Sequence, residues 1–73
     1  MYRAGSVVRI AQGLLVCRGG DDVEIGTVVF DDSLDEIGRI VDVFGPVDEP
    51  YFAVTPDDDV HPPRLVGEPL YAR

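Results

Sequence analysis

IGRIVDVFGPVDEPYFAV, residues Ile37 to Val54, holds two β-branched and aromatic runs on either side of a hexapeptide, Gly45 to Pro50. Such side chains suit the pleated, half-buried surface of a sheet, so strands are expected over Gly38 to Phe44 and Tyr51 to Thr55. Pro46 and Pro50 fix the backbone of the connection and lower its entropy before any binding. Phe44, Pro46, Val47, Pro50 and Tyr51 then present apolar surface on a rigid frame, beside Asp48 and Glu49. Two readings of that frame stand level on local physics. It is either a partner-docking edge or a hairpin loop folded back onto its own end of the sheet.

Period two is only partly kept in the first of these strands, because Ile40-Val41 and Val43-Phe44 put apolar side chains on both faces. One face fills an interior. The other needs cover from a strand, a loop or a partner, since a small domain cannot bury both faces of every strand.

Outward from this stretch, short β-rich runs alternate with Gly, Pro and Asp clusters at roughly ten-residue spacing, the mark of a small all-β barrel or sandwich. Further strands are expected over Ser6 to Ala11, Leu14 to Arg18, Glu24 to Phe30 and Pro69 to Ala72. Gly19-Gly20-Asp21-Asp22 and Asp31-Asp32-Ser33 read as hairpin connections, through positive-φ glycines and side chains that bond their own backbone. Gly13, Gly26 and Gly38 read as bulges or barrel corners. Pro56 to Arg64, with Pro62-Pro63 and Asp57-Asp58-Asp59, reads as an exposed loop. Ser33-Leu34-Asp35-Glu36 matches a capping box, but Gly38 and β-branched residues follow at once, so a turn is expected there.

The 73 residues form a single domain, 1–73, near the lower size limit for folding without disulfides or metals. Fourteen acidic residues against six arginines, with no lysine, give a net charge of −8. Salt screens the resulting self-repulsion over roughly 8 Å at about 0.15 M and over shorter distances at molar salt. The composition therefore fits a halophile's salt-rich cytoplasm, or else an acidic partner-binding face. It opposes ordinary nucleic-acid binding, whose affinity comes from cations replacing counterions along the phosphates.

No catalytic constellation is present: no second histidine accompanies His61, no cysteine pair forms around Cys17, and no Gly-rich phosphate loop or Schiff-base lysine exists. Cys17, inside the run LLVC, reads as a buried small hydrophobe. His61 reads as a solvated loop residue. Asp57-Asp58-Asp59 lacks the later glycine and glutamate of a calcium loop, so no metal or other cofactor is assigned, although a calcium-stabilised module stays open as an alternative. No run nears the roughly 18 apolar residues that span a bilayer, and MYRAGSVVRI lacks the order of a signal peptide. A cytoplasmic, non-membrane protein is expected.

Four pieces in order, GTVVFDD, IGRIVDVF, FGPVDEPYFAV and LVGEPLYAR, resemble the core of the Gar proteins of archaeal box H/ACA ribonucleoproteins. The likeness covers most of the chain. It implies a six-stranded closed β-barrel of the translation-factor barrel type and a non-catalytic subunit that binds the catalytic domain of a dyskerin-type pseudouridine synthase. Guide RNA and rRNA would be reached indirectly, through the complex, by modulating substrate loading and release in guide-directed pseudouridylation, a step of ribosome biogenesis. Outside the complex a monomer is implied. The absence of a Gly/Arg-rich tail in this sequence fits the archaeal form, and the absence of lysine leaves apolar docking as the safer carry-over. The docking residues are then Phe44, Pro46, Val47, Pro50 and Tyr51, with Val41, Leu70 and Tyr71 assigned to barrel packing. A ribosome-maturation or PRC-type barrel, binding a ribosomal protein, is the alternative of similar strand pattern.

Overall fold

The computed structural model describes residues 1–73. Six strands, β1 (Tyr2–Ala11), β2 (Leu14–Gly19), β3 (Val28–Phe30), β4 (Glu36–Phe44), β5 (Tyr51–Pro56) and β6 (Pro69–Ala72), close into a barrel. Their order around it is β1-β2-β5-β4-β3-β6, and every neighbouring pair is antiparallel. A short 3-10 turn, Pro62–Leu65, precedes β6. The expected all-β class and six-stranded closed barrel are what the chain forms.

Closure leaves no sheet edge exposed, which matters for a domain too small to cover edges with helices. The thinnest seam is β3 against β6, paired only at Phe30 and Tyr71. There the Arg73 guanidinium lies 5.0 Å from the centroid of the Phe30 ring.

The interior is apolar: Leu15, Val29, Ile40, Phe52, Val54, Leu70 and Ala72 are fully buried with Cys17. Val23, from the β2–β3 connection, and Val60, from the β5–β6 connection, pack against this core, and Leu65 belongs to it. The segment from Pro56 to Arg64 is therefore a largely exposed loop, as its prolines imply, that ends on a buried plug residue.

Four register shifts break the alternation, at Ala4 and Val8 in β1 and at Ile37 and Val41 in β4, and two of them turn valines outward. In β4 the register runs Ile40 to Val54, then Asp42 to Ala53 and Val43 to Phe52, so Val41 is the extra residue. Were Val41 paired in regular register with Ala53, Asp42 would stand opposite Phe52 and face the core. With the bulge, Ile40 is buried opposite Val54 and Val43, 37% exposed, pairs with Phe52 near the end of the strand, while Val41 is turned out and 40% exposed. Val41 is thus surface, not the barrel packing expected for it. Leu70 is buried, and Tyr71 is half-buried. In β1 the same device sits at Val8: Val7 pairs with Cys17 and Arg9 with Val16.

Several local expectations shift for identifiable reasons. The two-residue loop Gln12-Gly13, both at positive φ (53° and 76°), joins β1 to β2, so Gly13 is a hairpin turn and not a bulge. Gly19 and Gly20 do adopt positive φ, but β2 and β3 are not neighbours, and Gly19 to Asp22 opens a crossing connection instead of a hairpin. Glu24 to Thr27 is a turn, closed by the Thr27 N–H donating to the Glu24 carbonyl at 3.1 Å with Gly26 at φ 96°, so β3 begins only at Val28. Gly38 lies inside β4 beside the register shift at Ile37, as the bulge reading expects, and opposite Pro56, where an added Cβ would run into the Thr55 carbonyl oxygen.

Asp31-Asp32-Ser33 does form the β3–β4 hairpin turn. The Asp31 carboxylate accepts from the Ser33 and Asp35 backbone N–H groups at 2.9 and 3.0 Å. An Asx-type turn takes the place of the helix start that Ser33 to Glu36 could have opened.

Candidate protein-docking site

The strand register builds the site. Across the outer surface of β1, β2, β5 and β4, one row runs Ser6, Arg18, Tyr51, Phe44 and the next runs Arg9, Val16, Ala53, Asp42. Val8 and Val41 are added to this surface by the two bulges. Because Tyr51 pairs with Phe44, their rings stack at 5.9 Å between centroids and 17° between planes. Arg18, paired with Tyr51 from the other side, lies 5.7 Å from that ring's centroid and donates to the Tyr51 hydroxyl at 3.4 Å. That hydrogen bond is the first cause raising the Arg18 pKa above its ordinary value.

Beyond the stacked pair, the β4–β5 hairpin turns through Gly45 (φ 94°), and the Glu49 N–H donates to the Pro46 carbonyl at 3.1 Å. The Pro50 carbonyl is bound to β2 by the Gly19 N–H at 3.0 Å, so the root of the hairpin is anchored. Its tip is not folded back. Val47 is 100% exposed, Pro46 is exposed and Pro50 half-buried, which removes the self-packed reading of this loop. Phe44, Pro46, Val47, Pro50 and Tyr51 therefore share one hairpin, with Phe44 and Tyr51 at its root and Val47 at its tip.

Arg9 and Arg18 were not singled out by sequence reasoning. With Val8, Val16, Phe44 and Tyr51 they line a depression of about 220 Å3 on the same outer surface. The Arg18 guanidinium has one ion pair, with Glu49 at 3.9 Å, between two side chains that are about three-fifths exposed. The signal for this cluster was the Gln12-Gly13 turn, whose two-residue length fixes the register that sets Arg9 and Arg18 on one surface.

A second, larger cleft of about 620 Å3 is lined by Asp31, Asp35, Glu36, Asp57, Asp59, His61 and Arg64 with three apolar residues. The hydrogen bond that a protonated Glu36 carboxyl donates to the Asp57 carboxylate, then the charge of Asp57, raises the Glu36 pKa above the ordinary carboxylate value. No three His, Cys, Asp or Glu side chains gather in an arrangement that holds a metal ion. Cys17 is buried, and desolvation pushes its thiol up to about 12, which removes it from nucleophilic chemistry near neutral pH.

Comparison with known proteins extends over the whole barrel. The family model described as Gar1/Naf1 RNA binding region matches residues 1–73. An uncharacterized protein of Methanothermobacter thermautotrophicus is 29% identical over 75 residues, covering 97% of this chain and 82% of its own length. An uncharacterized protein of Methanocaldococcus jannaschii is 42% identical over 45 residues, covering 62% of this chain and 54% of its own.

Proposed function

We propose that this chain, which belongs to the Gar1/Naf1 RNA binding region family, is a non-catalytic subunit of a cytoplasmic archaeal box H/ACA ribonucleoprotein. It binds the pseudouridine synthase subunit and promotes guide-directed pseudouridylation of rRNA by modulating how substrate RNA is loaded and released. The observation that carries the reading, beside the family, is the anchored hairpin whose tip leaves Val47 fully in water. A fully exposed valine on a proline-framed turn contributes nothing to the barrel's own core, and apolar anchors on rigid frames are what protein interfaces use.

The chain's part in catalysis is indirect. Loading and release of a large RNA substrate are conformational steps, and a bound subunit biases them only through unequal affinity for the open and closed states. Mixing the barrel with its cognate synthase in molar potassium chloride tests the proposal. A stoichiometric complex that raises multiple-turnover rate is the expected result. Absence of a complex, or preferential retention on a ribosomal subunit, refutes it.

A further inference from the structure

Resting on the docking proposal above, we infer that the interface extends from the hairpin across the outer surface of β2 to the β1 bulge. There Arg9 and Arg18 receive a carboxylate presented by an otherwise apolar segment of the partner protein. Three observations converge on this. The depression lined by Val8, Arg9, Val16, Arg18, Phe44 and Tyr51 has no acidic residue in its wall, although the chain carries a net charge of −8 and its two other depressions both contain aspartates. Arg9 forms no ion pair, and Arg18 holds Glu49 only at 3.9 Å. The bulge at Val8 turns a valine outward beside these guanidiniums, and Phe44 adds a ring 40% exposed.

An apolar floor flanked by Arg9, which has no ion pair, and by Arg18, which rests on Tyr51 and meets Glu49 only at 3.9 Å, fits a carboxylate between aliphatic side chains. Arginine's planar fork bonds a carboxylate through two parallel N–H groups, and displacing a solvent-exposed Glu49 costs little. A nucleic-acid strand fits less well. Its successive phosphates would pass Asp48 and Glu49 on one side and Asp42, in the neighbouring row, on another. A second copy fits worst, because a two-fold contact through this surface sets arginines against arginines between two chains of charge −8.

The test uses the full chain and its cognate synthase, with Arg9→Glu, Val8→Ser and, as a separate arm, Val47→Asp. Arg9 makes no ion pair within the chain and Val8 is a surface residue, so in molar potassium chloride, where the added charge is screened, each variant should keep the thermal midpoint within about 4 °C. Arg9→Glu is expected to weaken synthase binding about 30-fold or more, and Val8→Ser about fivefold. Loss of binding in Val47→Asp with wild-type affinity in Arg9→Glu and Val8→Ser overturns this inference and leaves the docking proposal standing. Failure of the wild-type chain to bind the synthase overturns both. Arg9→Glu that abolishes binding to an oligouridylate, or a sedimenting dimer, while sparing the synthase complex also overturns it, in favour of nucleic acid or self-association.

Discussion

Val47 is the residue at which folding and docking separate most cleanly. It is 100% exposed at the tip of the β4–β5 hairpin, so truncating it removes no contact within the barrel. If a partner buries it, the transfer from water is worth about 0.8 kcal/mol per methyl or methylene group. Val47→Ala deletes two such groups, about 1.6 kcal/mol, or roughly 15-fold in Kd. Val47→Asp removes the same surface and adds a carboxylate with no partner, together about 3 kcal/mol or more and roughly 200-fold. Titration calorimetry against the cognate synthase in molar potassium chloride measures both, with a thermal melt of each variant alone as the control. An exposed substitution changes stability by less than about 0.5 kcal/mol, which in a domain of this size is a midpoint shift within about 4 °C. The reasoning fails if Val47→Ala binds as tightly as the parent chain. It fails as well if either variant melts far below it, since Val47 would then be part of the fold.

Salt, acid and thiol chemistry supply the remaining tests. A barrel with fourteen carboxylates and six arginines should melt at progressively higher temperature from dilute buffer to molar potassium chloride, and a flat midpoint would remove the salt adaptation. Glu36 binds its proton more tightly folded than unfolded because Asp57 faces it, so its contribution to stability is present at acid pH and lost as pH rises through the carboxylate range. Glu36→Gln should accordingly raise the melting temperature at pH 7 in dilute buffer and have less effect at low pH or in molar salt; an unchanged midpoint at pH 7 rejects the pairing. Cys17, at about 12, keeps its proton where an unfolded thiol ionises near 9.0, so stability is full below pH 9 and falls as pH rises from there toward 12. Alkylation of the native chain at pH 9 should run at least about a hundredfold slower than in denaturant, and equal rates would contradict the burial.

The strands were legible because β-branched runs and turn residues act locally. Tyr51–Pro56 and Pro69–Ala72 lie within one residue of where composition puts them. Glu24 was not legible as a turn residue, because the strand pattern of VVF extends backward by propensity alone while Gly26 reverses the chain. The bulges at Val8 and Val41 were hidden for a different reason. Each is set by cross-strand register, which keeps Asp42 away from Phe52 and turns Val7 toward Cys17, and register is decided by long-range pairing. The hairpin residues from Phe44 to Tyr51 were visible as one linear segment. The Arg9 and Arg18 surface was not, since it joins two strands to the hairpin root only once the barrel closes.

Net charge and family membership pull in opposite directions in this chain, and the placement of charge reconciles them. The family is described by RNA binding, yet fourteen carboxylates surround a domain with six arginines. In a salt-rich cytoplasm the Debye length shrinks to about 3 Å at 1 M, and affinity built on counterion release falls steeply with salt. Such a setting weakens phosphate contacts and leaves apolar burial, which many salts strengthen, as the durable source of affinity. The exposed valine at the hairpin tip, the stacked Phe44 and Tyr51, and the outward valines of two bulges are apolar features of that kind. Under the proposed function, a barrel with these features and an acidic surface would act by holding the protein that holds the RNA. On the inference above, Arg9 and Arg18, beside apolar surface, serve a single carboxylate better than a phosphate backbone.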